Sequence, residues 1–169
     1  IDEDGHFYLL EMGYRLCGDE INVPLRTVAK FDVHEWIMDY ALGKKHSQDD
    51  LPQAQTAYYP TCGCVYSLWT NQEGKIEKIQ GVEEITEKGD ILWDSLVREG
   101  DTVRKHMLIG EFMFEASDVY EMCDIIKDIN SKIGIKNGLG KEMVIHYTDY
   151  DCLINTSRHF AVLRGGTYG

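Results

Sequence analysis

Residues 7–15 read Phe-Tyr-Leu-Leu-Glu-Met-Gly-Tyr-Arg, and the fold is best predicted by working outward from them. Aromatic and apolar residues dominate the first half of this stretch, which is typical of a β-strand. Glu11 and Arg15 lie at its end, four residues apart. Residues 3–5, Glu-Asp-Gly, have turn chemistry, so residues 1–15 read as the end of a hairpin. We therefore expect the first strand of that hairpin to precede Ile1, so that the chain begins in the middle of a fold.

Glu11 and Arg15 allow two interpretations on residue type alone. One is a surface ion pair, which would contribute under about 1 kcal/mol. The other is phosphoryl transfer from ATP to a carboxylate. Mg²⁺ takes one or two protein carboxylates beside the phosphate oxygens, and a guanidinium can hold a carboxylate or phosphate through two hydrogen bonds. Positioning and electrostatics supply most of the rate in phosphoryl transfer, so both groups should then project from a rigid strand.

The stretch resembles the pattern of ATP-grasp ligases, in which an aromatic strand ends in Glu-x-Asn-x-Arg. Biotin carboxylase, carbamoyl-phosphate synthase and many carboxylate–amine ligases share this pattern. The resemblance implies that Glu11 binds Mg²⁺, and through it the ATP phosphates. It implies that Arg15 is a catalytic residue that holds the acyl phosphate or the substrate carboxylate. Gly13 stands where the family has Asn, a second metal ligand, so the resemblance does not extend to the full two-metal arrangement.

The resemblance continues to about residue 147, through a helix and then a small lobe with a hairpin and a glycine turn. It implies that residues 1–48 are the end of an ATP-grasp domain and that residues 58–153 are a small C-terminal α+β lobe. Residues 154–169 are left as an unassigned tail. The glycine-rich loop and lysines that hold ATP in this family would precede Ile1. We therefore expect that this chain alone neither binds ATP tightly nor turns over.

Two principal helices are predicted. The first covers residues 33–42: Asp32 suits the N-cap, Glu35 is the third helical residue, and Gly43 suits a left-handed C-terminal position. The second begins after Ser117, carries apolar residues at helical spacing, and ends at Gly134.

The remaining pattern is mostly that of strands. They are predicted at residues 7–12, 64–69, 75–79, 91–97, 108–115 and 142–147. The second and third of these, joined by Asn-Gln-Glu-Gly at 71–74, predict a hairpin. One helical turn is expected at 82–85, a loop at 18–24 and a linker at 44–55. This order indicates the α+β class with a mainly antiparallel sheet, as expected for the C-terminal part of an ATP-grasp fold.

Composition limits the partners and the compartment. Lys and Arg total 17 against 29 Asp and Glu, a formal net charge of −12, which argues against nucleic acid and anionic membranes as partners. No stretch approaches the ~20 apolar residues of a membrane span, and the acidic N-terminus is unlike a secretory signal. Five cysteines at irregular spacing do not describe a disulfide framework, which favours a cytoplasmic location.

Other candidate residues favour structural interpretations. Cys62-Gly63-Cys64 invites a metal or redox site, but no second Cys or His pair lies at zinc spacing, so free thiols in a strand are favoured. His34 and His146 have no evident carboxylate or Cys partner in the sequence, and packed or exposed histidines are expected.

Three functional hypotheses remain open. The first is the C-terminal part of an ATP- and Mg²⁺-dependent ligase that joins a small-molecule carboxylate to an amine or another nucleophile through an acyl phosphate. The second is a non-catalytic regulatory or oligomerisation module of the same ancestry, which Gly13 favours and which allows a homo-oligomer. The third is an unrelated α+β binding domain with a similar strand.

Overall fold

The computed structural model of the protein describes residues 22–28, 30–50 and 61–163. Within them the fold is mixed α+β, as predicted. The helices are α1 (Asn22–Val28), α2 (Val33–Ala41), a 3-10 helix (Gln48–Asp50), α3 (Val82–Thr86), α4 (Val119–Lys132) and α5 (Tyr150–Leu163). The strands are β1 (Cys62–Thr70), β2 (Gly74–Gln80), β3 (Ile91–Ser95), β4 (Thr102–Val103), β5 (Leu108–Ala116), β6 (Gly134–Asn137) and β7 (Val144–Ile145).

Two antiparallel sheets organise the described residues. The first has the order β3-β5-β1-β7 and the second the order β4-β2-β6. In the first, β5 is central and pairs along its length with both β1 and β3. Strand β7 pairs with β1 only at Trp69 and Thr70, where Ile145 and Val144 lie opposite.

The predicted hairpin of residues 64–69 with 75–79 is wrong. Both strands form, but β1 and β2 belong to different sheets. Asn71 explains the separation, because its backbone N–H donates to the Met143 carbonyl and its side chain donates to the Val144 carbonyl at 3.1 Å. The turn is thereby bonded to β7 and the segment before it. Gly74, at φ +148°, then starts β2 in a different direction.

The core lies between the two sheets and α4. It combines aromatic and aliphatic residues of the first sheet, aliphatic residues of the second, and one face of α4. Its most completely buried large side chains are Phe112, Leu68, Ile76, Ile109, Ile129, Ile135 and Met143. Burial of this many large apolar groups is the main favourable term for the fold.

The helix signals are confirmed for α2 and partly for α4. Asp32 is the N-cap of α2 and accepts from the N–H groups of His34 and Glu35, both at 3.0 Å. Gly43 has the expected positive φ of +80°. The N-cap of α4, however, is Asp118 and not Ser117.

Three further segments differ from the sequence pattern. The predicted loop at 18–24 overlaps α1, since Pro24 lies in the first turn, where a missing N–H is tolerated. Gly134 does not only end the helix but begins β6, which was not predicted. The last strand is shorter than expected, and α5 covers most of the tail that the pattern left unassigned.

Among the described helices, none has the length and apolar character that crossing a bilayer requires.

Candidate functional site

Glu11, Gly13 and Arg15 lie outside the described residues. Their roles, and with them Mg²⁺ and ATP, therefore stay predictions. Within residues 22–28, 30–50 and 61–163, no group of three or more His, Cys, Asp or Glu side chains is arranged to hold a metal ion.

The concave site that the described residues do form is a groove along the free edge of β1. It has a volume of ≈ 560 Å³. Its walls are β1, residues 145–149, and the facing sides of α4 and α5. The lining is mainly apolar and includes Trp69, Met122, Ile126, Ile145 and Leu153. A cavity of this size with an apolar lining and a few polar groups is the usual form of a ligand site.

Asn130 of α4 fixes the polar side of the groove. Its Nδ2 donates to the Tyr147 carbonyl at 2.9 Å and to the Tyr150 hydroxyl at 3.0 Å. Because a carbonyl can only accept, this contact sets the orientation of the amide. Oδ1 then accepts from the Tyr66 hydroxyl at 2.7 Å, and the Tyr147 N–H donates to that hydroxyl at 3.0 Å. The pKa of Tyr66 is raised, mainly by burial of its hydroxyl. The hydroxyl therefore stays protonated and can donate.

The same amide orients His146. Its Nδ1 lies 3.0 Å from Asn130 Oδ1, which is an acceptor, so Nδ1 carries the proton. In the neutral ring Nε2 is then a hydrogen-bond acceptor. The partner of His146 is thus an amide and not a carboxylate or Cys, and the sequence did not reveal it because Asn130 lies 16 residues away on another element.

Asp149 is the one carboxylate among the described residues that line the groove. It lies just before α5 and accepts from the Cys152 N–H at 3.1 Å. Asp151 lies in the first turn of that helix.

A second polar feature lies on the face of the first sheet that points away from the core. Ser67 Oγ donates to Glu111 Oε1 at 2.6 Å, and Glu111 is only 4% exposed. Asp94 of β3 is directly opposite Glu111 in the ladder. No described Lys or Arg forms an ion pair with either carboxylate, while α1 packs against β1 and β5.

The cysteines of β1 are free thiols, as expected. Burial raises the pKa of Cys64 from 9.0 to about 12, with smaller contributions from the neighbouring thiols of Cys62 and Cys123. A thiol with so high a pKa is a poor nucleophile and metal ligand at neutral pH. The geometry therefore supports packing and not redox chemistry.

A second, acidic cleft separates α3, β3 and α4, with a volume of ≈ 480 Å³. Lys132 crosses it and pairs with Asp128 at 2.8 Å and Glu84 at 3.4 Å. These surface pairs account for Glu84, Asp128 and Lys132 in its lining.

Of three comparisons with known proteins, the one with solved structures bears on the fold. No family model matches the chain, and no curated protein matches it. Among solved structures, the fold of two antiparallel sheets and flanking helices is found in a ligase. That protein is the L-amino acid ligase from Bacillus licheniformis, which is 18% identical with a TM-score of 0.66. The match confirms the ATP-grasp ligase-like fold that the sequence resemblance predicts.

The extent of that match is unequal. It covers 81% of this chain and 34% of the ligase chain. This chain therefore spans about a third of the length of the protein that it resembles.

Proposed function

We propose that the chain is the C-terminal part of an ATP- and Mg²⁺-dependent carboxylate ligase that works through an acyl phosphate and is inactive in isolation. The observation that carries the proposal is that a chain with the Glu-x-x-x-Arg sequence pattern of ATP-grasp enzymes also has a fold found in a ligase. These two lines are independent, since one uses nine residues and the other uses the backbone of most of the chain.

The proposed reaction has two steps. An oxygen of the substrate carboxylate attacks the γ-phosphorus of ATP, and ADP leaves. An amine then attacks the acyl carbon and loses a proton, and phosphate leaves. Arg15 would hold the anionic acyl phosphate through its guanidinium fork, and Glu11 would hold Mg²⁺. The bound ion would neutralise charge on the transferred phosphate.

The carboxylate substrate to test first is an L-amino acid, because a solved structure with this fold is an L-amino acid ligase. A panel of the common amino acids, each as donor and as acceptor, is the appropriate screen.

Replacing Glu11→Gln in the intact protein tests the metal ligand. We expect turnover to fall at least about a thousandfold, because charge stabilisation and positioning supply most of the rate in phosphoryl transfer. Phosphate release with the active amino acid pair measures it. Glu20→Gln, a nearby acid outside the motif, is the matched control and should keep full activity. Undiminished turnover in the Glu11 variant would exclude the assignment.

The acyl phosphate itself can be tested with a carboxylate labelled with ¹⁸O. Attack by a carboxylate oxygen on phosphorus requires that one label appear in the released phosphate. Transfer of the label to phosphate supports the mechanism, and phosphate that contains only solvent or ATP oxygen contradicts it.

The alternative is a non-catalytic regulatory or oligomerisation module of the same ancestry. Gly13, which removes the expected second metal ligand, favours it. Light scattering and calorimetry on the intact protein separate the two: a defined oligomer that does not bind Mg·ATP supports the module. Micromolar Mg·ATP affinity in the intact protein supports the ligase, and the same affinity in the 169-residue chain alone would contradict its expected inactivity.

A further inference from the structure

We propose that the groove along the free edge of β1 binds an extended peptide, which adds as a strand beside β1 and carries a positive charge toward Asp149. This inference does not depend on the ligase activity. It rests on the backbone of β1, the shape of the groove and the charge of its lining.

The first step is the direction of the β1 backbone groups. The Thr70 N–H donates to the Met107 carbonyl, and the Thr70 carbonyl accepts from the His106 N–H, so both Thr70 groups point toward the β5 side. Backbone groups alternate along a strand. The N–H and C=O of Val65 and Ser67 therefore point to the opposite side, away from β5.

The ladder between β3 and β5 also indicates which β1 residues face the free edge. The Leu96 N–H bonds to the Ile109 carbonyl, so Ile109 and, two residues on, Glu111 turn their backbone groups toward β3. Gly110 must then face β1 and pair with Leu68. Ser67, one residue before Leu68, faces the free edge.

The second step is that this edge is unpaired in the described part of the chain. Strand β7 bonds to β1 only at Trp69 and Thr70, and the chain then diverges at residues 146–149. From Gly63 to Ser67, β1 pairs with β5 alone. An unpaired run of donors and acceptors is a template for another strand, and such edges are normally blocked by charge or proline. Here neither blocks it: the edge positions are Gly63, Val65 and Ser67.

The third step is the shape of the groove, which selects a single strand. Residues 146–149 and α5 form a wall opposite the edge, and Val65, Ser67, His146 and Leu153 all line the space between. A second copy of this chain would bring its own wall with its own β1. A single peptide strand, about five residues long at roughly 3.3 Å per residue, has no such obstruction. The apolar floor suits apolar side chains at alternate positions.

The fourth step is charge. Among the described residues that line the groove, Asp149 is the only carboxylate and there is no Lys or Arg. With Nδ1 of His146 bonded to Asn130 Oδ1, Nε2 is free to accept a hydrogen bond. Asp118 lies near the same end of β1, where it adds to the effect of burial in raising the pKa of Cys62. The end of the groove away from β7 is therefore negative, which favours a Lys, Arg or N-terminal ammonium on the peptide.

The test uses the full chain labelled with ¹⁵N and the peptide Lys-Val-Thr-Val-Thr-amide, together with the peptide of reversed sequence. We expect one of the two to shift the amide signals of Val65 and Ser67 with a submillimolar Kd. Two further versions carry N-methyl groups on alternate amides. Only the version with N-methyl groups on the peptide amides that face β1 should bind more weakly, about tenfold or more. It alone removes hydrogen bonds between the peptide and β1.

Protein variants test the same contacts. Val65→Pro removes an edge donor without touching the β5 ladder and should weaken binding about tenfold, whereas Val65→Thr keeps the N–H and should bind normally. Asp149→Asn keeps an N-cap acceptor and should weaken binding about twofold to fivefold, with Asp151→Asn as the unchanged control. An intact amide spectrum confirms the fold of each variant.

Four results would overturn the proposal. The first is no shift at millimolar peptide, and the second is a set of shifts confined to another surface. The third is equal binding of both N-methylated versions, which would mean that the groove takes an apolar body without strand addition. The fourth is a stable dimer of the protein that Val65→Pro dissociates. None of these results would change the outcome of the Glu11→Gln experiment, since that experiment measures turnover.

Discussion

At Gly81 the backbone leaves no room for a side chain. Its φ is +90°, and a Cβ there would lie 2.2 Å from the Lys132 carbonyl oxygen, a backbone atom at the end of α4. We expect Gly81→Ala to lower the free energy of unfolding by about 3 kcal/mol or more, through left-handed strain and displacement of the α4 terminus. Gly138→Ala, with open space and an ordinary φ, should change it by less than about 0.5 kcal/mol. Urea unfolding compares the two, and similar midpoints would contradict the steric account.

Cys64 gives the protein an alkaline dependence of stability. Burial raises its pKa from 9.0 to about 12, so the folded thiol stays protonated while the unfolded thiol ionises above pH 9. Unfolding therefore becomes more favourable as pH rises from about 9 to 12. For this group alone the loss is about 1.4 kcal/mol by pH 10. The drop in unfolding free energy from pH 8 to pH 10 should be smaller by about this amount in Cys64→Ala than in the parent protein. An equal drop in both proteins would contradict a raised pKa of Cys64.

These positions also show what a sequence can predict at the residue scale. Gly43 was predicted to be left-handed because the helix that it follows is local. The need for Gly81 was not predicted, since it arises from Lys132, 51 residues later. Asn130 was missed for the same reason: its partners lie on three other elements, and nothing near it in the sequence signals a half-buried residue with several hydrogen bonds.

At the scale of elements, the start of α4 has two adjacent candidates for the N-cap, and the hydrogen bonds distinguish them. Asp118 Oδ1 accepts from the N–H groups of Tyr120 and Glu121, at 2.8 and 2.9 Å. Ser117 instead donates its backbone N–H to Glu121 Oε2, at 2.6 Å. We expect Asp118→Ala to destabilise the protein by about 1 kcal/mol and Ser117→Ala by under about 0.5 kcal/mol. Thermal or urea unfolding measures both, and a larger effect at Ser117 would reverse the assignment of the cap.

Strand positions were largely predicted, but their pairing was not. The apolar pattern places β1, β2, β3 and β5 within a few residues of their observed bounds. It contains no information on which strands meet, and the short polar turn at 71–74 suggested a hairpin. The pairing is decided by Asn71, whose bonds go to residues 142–144. Short strands such as β4, β6 and β7 were missed or misjudged because a few residues carry too little periodicity.

At the scale of the molecule, the core residues among those that the structure describes all come from one part of the chain. The core cluster and the hydrophobic groups packed against it lie between Cys64 and Leu153, while α2 has no buried residue. We therefore expect a fragment of residues 61–163 to fold cooperatively, with a native-like near-ultraviolet circular dichroism spectrum. Its urea midpoint should be below that of the full chain, because it lacks α1, which packs against β1 and β5.

A shorter fragment, residues 61–147, is the matched control for that prediction. It also lacks α5, and with it Tyr150 and Leu153, which pack against the core, and the hydroxyl that Asn130 Nδ2 bonds. Loss of buried apolar area, together with loss of one of the two hydrogen bonds that Asn130 Nδ2 donates, should make this fragment unfold at lower urea still, with a broader transition. If residues 61–163 were unfolded while the full chain is folded, the segment before β1 would be part of the same cooperative unit. The division into an end of one domain and a separate small lobe, which the resemblance implies, would then be wrong.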